Sequence, residues 1–339
     1  MPMDLKSPPA IWAGQLTHFT ALFLTLFFVC SCSLSLGDTA SSEFEKEKEK
    51  SIYETVEKDA VYRSSVTTGS FVELAHGPTY YEYEGERNAE IIVFIHGFSV
   101  PSYIWDPLYD AAIEKGYRVL RMDLYGRGHS VNPDVRYNVD LFATQIFELL
   151  TYLDIKNPIN LVGLSMGGRV ISQFAAVYPD LIKRLIYIGP SGFDVFKGTG
   201  YDDFDVTEEE VQAFIDADFS TRAESQLADF VRPGRFASWV GRFRPLLQAK
   251  GFGKALFSTI KNERSMEQEN RIIGRLQFPV TFFWGELDTG IPLKNSKSQI
   301  EEWIPRAQLW VIPDSGHIPY MEQEEFFEYL FFEKAVSNF

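Results

Sequence analysis

The chain has 339 residues, 45% hydrophobic and 23% charged, with a formal net charge of −15. That length and apolar content can bury one large core with an insertion. The acidity argues against a nucleic-acid partner, because phosphate binding needs a basic face. Two cysteines one residue apart, Cys30 and Cys32, exclude a disulfide framework.

Residues 19–29, FTALFLTLFFV, are a dense apolar run of signal-peptide length. The positive charge before it is poor, since Lys6 and the amino terminus face Asp4. The end of the run, Val29-Cys30-Ser31-Cys32, resembles a relaxed bacterial lipobox, with Cys32 as the lipid-bearing residue. Residues 1–32 are therefore expected to be a signal and lipoprotein segment on the extracytoplasmic side of a membrane. Two alternatives stay open. Residues 19–36 form 18 mostly apolar positions, near the lower limit for an uncleaved membrane anchor; or the segment is cleaved and the protein secreted. Residues 33–65 follow as a polar spacer, charge-alternating at 43–50, with too little apolar content to bury a core.

Short runs at 71–74 and 80–83 read as a hairpin separated by Gly77 and Pro78. Continuous apolar runs at 91–95, 117–122, 161–162, 185–188, 280–284 and 309–312 read as strands buried on both faces. Helical patterns lie between them, at 103–115, 139–153, 166–178, 293–303 and 322–334. Strands alternating with helices predict an α/β fold with a mostly parallel, doubly wound sheet and helices on both faces. The alternation breaks once. Residues 193–275 hold helix-like segments and no strand, and Thr207 to Glu210 resembles a capping box. They are expected to form a helical cap over the C-terminal edge of the sheet, where such sheets bind ligands. Residues 66–192 and 276–339 then make the core.

The stretch Gly163-Leu164-Ser165-Met166-Gly167 stands between a strand and a helix. This is the G-x-S-x-G pattern of a serine on a strained turn, whose hydroxyl is lifted off the sheet at a helix N-terminus. Side chains at Gly163 and Gly167 would collide with neighbouring backbone. A nucleophilic serine needs a base, a group that orients the base, and donors for an oxyanion. His317 follows the last strand, and Asp288 follows the one before it, on the edge that carries Ser165. Their chain order is Ser, Asp, His. Glu286 and Asp194 compete with Asp288, and loop position favours Asp288. The backbone N–H groups of Phe98, in the loop after strand 91–95, and of Met166 are the expected oxyanion donors. His96 and the Asp123 to Ser130 loop read as loop-fixing groups.

From about residue 71 to 336 the chain resembles the α/β-hydrolase fold superfamily. The resemblance rests on Ile95-His96-Gly97-Phe98, Asp123 to Ser130, Gly163 to Gly168, Gly285 to Asp288 and Gly316-His317. The nearest branch is that of serine carboxylesterases and monoacylglycerol lipases with a helical cap. The resemblance implies Ser165 as nucleophile, His317 as base, Asp288 as orienting acid, Phe98 and Met166 as the oxyanion pair, and no cofactor or metal. Epoxide hydrolases and dehalogenases of this fold use an Asp nucleophile, so the serine excludes them. The expected reaction is cleavage of carboxylic esters through an acyl-enzyme. Acyl transfer or carbon–carbon hydrolysis with the same triad is the alternative, and a non-enzymatic surface binding protein stands behind both.

The cap is rich in aromatic residues, among them Phe193, Phe214, Phe219, Phe230, Phe236 and Phe252. They read as a cap core, part of which lines the space above Ser165 and favours apolar or lipid-like acyl groups. Cap charge is polarised, acidic over 202–218 and basic over 232–264. Either the two halves pair with each other, or the basic half, with Arg232, Arg235 and Arg242, faces an anionic membrane beside the lipid anchor.

Overall fold

The computed structural model describes residues 53–201 and 203–337. The apolar run and Cys32 lie outside the described residues. Among the described residues, no helix is long and apolar enough to cross a membrane.

A short helix, α1 (Ala60–Ser65), precedes the hairpin of β1 (Ser70–Leu74) and β2 (Gly77–Glu84). Leu74 pairs with Gly77, so Ala75 and His76 occupy the turn. Gly77 and Pro78 open β2 instead of separating the strands, and Gly77 takes a φ of +110° that a side chain would resist. Then follow β3 (Ile91–Ile95), α2 (Asp106–Glu114), β4 (Arg118–Met122), α3 (Val139–Tyr152), β5 (Ile159–Leu164), α4 (Met166–Val177) and β6 (Ile182–Ile188). Three helices come next, α5 (Glu208–Ser225), α6 (Ser238–Phe243) and α7 (Phe252–Lys261), and then α8 (Glu267–Ile273). The chain returns to the sheet with β7 (Val280–Gly285), α9 (Lys297–Trp303) and β8 (Gln308–Ile312), and continues into α10 (Pro319–Glu322) and α11 (Glu324–Leu330).

The eight strands form one sheet in the order β1-β2-β4-β3-β5-β6-β7-β8. Strands β3 to β8 run parallel to one another, and at one edge β2 pairs antiparallel with both β4 and β1. Alternate residues of each central strand point to opposite faces, and both faces are covered. Val93, Ile95, Leu161 and Tyr187 pack on Phe142 of α3 and on Val170 and Phe174 of α4. Ile92, Phe94, Val162 and Ile186 pack on Leu108 of α2 and on Phe327 and Leu330 of α11. The sheet is thus a mostly parallel, doubly wound one, and all crossovers from β5 onward leave their loops at the same strand ends.

The cap has its own small core, in which Phe219, Phe243, Phe252 and Leu256 are buried together. Helix α5 opens with the expected capping box: Thr207 Oγ1 accepts from the Glu210 N–H, and Glu210 accepts from the Thr207 N–H. The two ends of the 193–275 stretch behave differently. Phe193 is fully buried against Tyr187 and Phe282 of the sheet, and Ile273 of α8 belongs to the same core. Both are apolar side chains adjoining β6 and β7, so the nearest apolar surface is the sheet and not the cap.

The cap's basic half does more than pair with the acidic half. Lys261 does meet Glu210 at 2.9 Å. Arg242, however, meets Asp106 at 2.7 Å, Lys254 meets Asp134 at 2.5 Å, and Arg232 pairs with Asp314. These partners belong to the core, at the start of α2 and in the loops that hold Asp134 and Asp314, so much of the cationic surplus fastens the cap to the acidic rim beneath it.

The described part of the spacer expected over 33–65 has no buried residue but is attached to the cap and core. Tyr53 packs edge-on to Phe219 at 5.4 Å. The Glu54 carboxylate accepts from the Gly251 and Gly253 N–H groups at 2.5 and 2.6 Å, at the start of α7. Glu57 meets Lys250 at 2.5 Å. Lys58 Nζ donates to the Ser130 carbonyl and to Asn132 Oδ1 at 2.7 and 2.8 Å, and Tyr62 is hydrogen-bonded to His129 at 2.8 Å. Residues 53–65 are a strap across cap and core. A carboxylate at a helix N-terminus completes orphan N–H groups, which a reading of local apolar content cannot detect.

Candidate active site

Strand β5 ends at Leu164 and α4 begins at Met166, so Ser165 alone makes the turn. It does so at φ +56° and ψ −122°, a strained conformation for a residue with a Cβ, costing about 1–3 kcal/mol. The surroundings hold it there. Its N–H donates to the Ile188 carbonyl at 3.0 Å, and its carbonyl accepts from Gly168 and Ser191 at 2.9 and 3.0 Å. A Cβ at Gly163 would lie 2.6 Å from the Gly167 carbonyl oxygen, and one at Gly167 would lie 2.4 Å from that of Ile95. The glycines are therefore a packing requirement of the turn.

The loop after β3 faces the serine. A Cβ at Gly97 would come within 3.1 Å of Ser165 Cβ. Two buried groups fix this loop from below. His96 Nε2 accepts from the Leu124 N–H at 3.0 Å, so Nδ1 carries the proton and donates to the Gly97 carbonyl at 2.9 Å. Burial pushes the His96 imidazole down to about 4, against the opposing charge of Asp123, and keeps it neutral. Arg127, fully buried, donates through Nε to the Phe98 carbonyl at 2.9 Å and through Nη2 to Thr259 of α7 at 2.8 Å. Asp123 accepts from the Ser102 and His129 N–H groups at 2.8 and 2.7 Å. Arg127 lies inside the loop motif and its reach to Phe98 and the cap was not visible from spacing.

His317 and Asp288 meet directly, with Nδ1 2.7 Å from Oδ2. The Asp288 side chain is fully buried, and its second oxygen accepts from the Ile291 N–H at 2.8 Å. The two competing carboxylates lie elsewhere. Glu286 is exposed and accepts from the Asp314 N–H at 3.2 Å, and Asp194 is exposed. The end of β6 ties this pair to the serine. Ile188 accepts from the Ser165 N–H, and the next residue, Gly189, lies against the pair: a Cβ there would be 3.1 Å from His317 Nδ1 and 3.3 Å from Asp288 Oδ2. The Ser165 hydroxyl and the His317 ring are not hydrogen-bonded to each other, a contact that often tightens only with substrate in place.

A second carboxylate, Asp229, comes from the cap. It closes a 3-10 turn, Gln226–Asp229, and its carbonyl accepts from the His317 N–H at 2.7 Å. Burial lowers the affinity of the His317 ring for a proton. The charge and hydrogen bond of Asp288 and the charge of Asp229 outweigh it, so the imidazole is raised to about 9. Burial in turn lifts the Asp229 carboxyl above the usual carboxylate range, against the pull of His317. Nothing in the local sequence around Asp229 marks it, because its role depends on a contact across the cap boundary. Among the described residues, no group of three or more His, Cys, Asp or Glu side chains is arranged to hold a metal ion.

A family model described as alpha/beta hydrolase fold matches residues 90–324. Lipase 3 of Moraxella sp. is 27% identical over 243 residues, covering 69% of this chain and 73% of the lipase. A 2-hydroxymuconate semialdehyde hydrolase of Pseudomonas sp. is 28% identical over 239 residues, covering 67% of this chain and 80% of that protein. The crystal structure of a hydrolase from Pseudomonas aeruginosa superposes with a TM-score of 0.66 at 24% identity, covering 80% of this chain and 100% of the other. The chain belongs to the α/β hydrolase fold family, a family of hydrolytic enzymes whose relatives here carry out different reactions.

Proposed function

We propose that the protein is a serine hydrolase that cleaves carboxylic esters through an acyl-enzyme. The observation that carries the reading is the buried His317–Asp288 hydrogen bond of 2.7 Å, joined through the end of β6 to a serine held at φ +56°. In this reading Ser165 Oγ attacks the ester carbonyl and His317 takes its proton. Asp288 holds the Nδ1–H tautomer and stabilises the imidazolium. The N–H groups of Phe98 and Met166 receive the oxyanion, and the Arg127 Nε–H held by the Phe98 carbonyl at 2.9 Å limits the freedom of that loop to reorganise. His317 then protonates the departing alcohol, and water releases the acid.

Apolar acyl groups fit best. Phe98 and Val100, on the loop that faces Ser165, pack against the cap's apolar cluster, which supports an apolar lining beside the nucleophile. A panel of esters with increasing acyl length tests this, with Ser165→Ala as the blank. Turnover that grows with chain length supports the reading; absence of turnover on every ester contradicts it. Carbon–carbon hydrolysis is the second reading, favoured by the resemblance to the 2-hydroxymuconate semialdehyde hydrolase. Hydrolysis of 2-hydroxymuconate semialdehyde in preference to esters would favour that alternative. Attachment to a membrane surface through Cys32 belongs to the same proposal, and Cys32→Ala should release the protein from the membrane fraction.

A further inference from the structure

The cap is fastened with particular density to the loop that carries His317. Cap residues 229–232 lie along core residues 314–317. The His317 N–H donates to the Asp229 carbonyl at 2.7 Å. Gly316 is packed so closely that a Cβ there would lie 2.5 Å from that same oxygen. The guanidinium of Arg232 pairs with the Asp314 carboxylate and donates to the Asp314 carbonyl at 3.3 Å. Gln323 donates to that carbonyl as well, at 3.0 Å.

At the centre of this seam is Glu322, the last residue of α10, only 5% exposed. Its Oε2 accepts from the Gly316 N–H at 2.6 Å, and its Oε1 accepts from the Arg232 N–H at 3.1 Å. One carboxylate therefore joins the residue before His317 to the cap. A buried charge held only by backbone N–H groups is stable while both donors are present, and costs free energy when either leaves.

We propose that Glu322 is a positioning residue for His317, and that it makes the working position of the imidazole depend on the seated cap. The inference rests on the triad reading above. Glu322 acts through backbone, so it need not touch substrate. When the cap is seated, Arg232 supplies the second donor and the 314–317 loop is pinned. When the cap lifts, Glu322 loses that donor, the Asp229 carbonyl leaves the His317 N–H, and the loop is free to drift. A gate of this kind would couple substrate enclosure to assembly of the base.

The carboxylate is also the group the geometry requires. A glutamine has the same length but only one acceptor oxygen; its amide nitrogen would face one of the two N–H donors. Alanine supplies no acceptor at all.

The test compares the full chain with Glu322→Gln and Glu322→Ala. Active sites are counted by fluorophosphonate titration, and kcat, KM, labelling rate and Tm are measured on each. Displacement of a base by about 1 Å costs about 10²-fold. Glu322→Ala is expected to lose about 10- to 100-fold in kcat per titrated site, with KM changed less than about threefold. Glu322→Gln is expected to fall between it and the wild type, and labelling rates should follow kcat. Lys297→Ala, which removes an exposed pair with Glu301 inside α9 and touches neither cap nor seam, should leave kcat unchanged. A merely structural role for Glu322 predicts a lower Tm and fewer titratable sites at unchanged kcat per site, and that result overturns the proposal. If Glu322→Ala does not fold, wild-type kcat and labelling rate in Glu322→Gln overturn it equally. Failure of the wild type to react with the fluorophosphonate overturns the triad reading itself, a separate outcome.

Discussion

The His317 ring has Asp288 hydrogen-bonded at Nδ1 and the charge of Asp229 close by across the cap boundary. Both carboxylates favour the imidazolium, and the ring is raised to about 9. A general base must be neutral, so the fraction able to act grows as pH rises through that value. The plot of kcat/KM against pH should therefore climb between pH 7 and 9, with its acid limb above the ordinary imidazole range of about 6.5. Asp229→Asn removes one negative charge and should move that limb to lower pH; an unmoved limb would mean that Asp229 does not act on the ring. The elbow glycines make a second prediction at this scale. Gly167→Ala places a Cβ 2.4 Å from backbone oxygen that cannot yield cheaply, and should abolish soluble expression or cut activity at least 100-fold. The individual residues were unevenly legible. Ser165, His317 and Asp288 stand out in the sequence because strand ends and motif spacing mark them; loop position already favours Asp288 over Glu286 and Asp194, and both competitors are exposed in the structure. Asp229, Glu322 and Arg127 act through contacts with residues 88, 90 and 132 positions away, and no local pattern encodes such pairs.

The elements were legible wherever their periodicity came from burial on a sheet. Strands β3 to β8 read as apolar runs because both faces of the sheet are covered, and the capping box of α5 is written in Thr207 and Glu210 alone. The strap was not legible. Its residues 53–65 look like spacer, since their attachments are polar and reach separate loops: Glu54 to α7, Lys58 to the Ser130 loop, Tyr62 to His129. Glu54 supplies acceptors for two N–H groups at the start of a ten-residue helix. Removing it by Glu54→Ala should cost about 1–3 kcal/mol and lower Tm by a few degrees in thermal unfolding. An unchanged Tm would show that the strap contributes nothing to the cap's seating. The cap's aromatic residues were read as a guide to substrate; many of them are instead consumed in packing, as with Phe219, Phe243 and Phe252 in the cap core and Phe193 in the sheet's core.

At the scale of the molecule, the α/β hydrolase architecture brings the ends of β3, β5, β6, β7 and β8 to one edge, and the proposed machinery comes from the loops at those ends. The cap closes over the same edge and is tied to the core at several places, among them Arg127 to Thr259, Arg242 to Asp106, Lys254 to Asp134 and the seam at Glu322. Fold and edge could be inferred from the order of strands and motifs. The boundaries of the cap could not, because Phe193 and α8 adjoin the sheet and join its core. The central claim is that Ser165 is a nucleophile activated by His317. It is tested most directly by a fluorophosphonate that phosphonylates activated serines, applied to wild type, Ser165→Ala and His317→Ala, with intact mass as the readout and ester turnover measured alongside. The account predicts one adduct on Ser165 in the wild type, none in Ser165→Ala, and labelling slowed at least about 10³-fold in His317→Ala, with ester turnover lost in both variants. An adduct that persists in Ser165→Ala, or a wild type that neither labels nor turns over any ester, would contradict it.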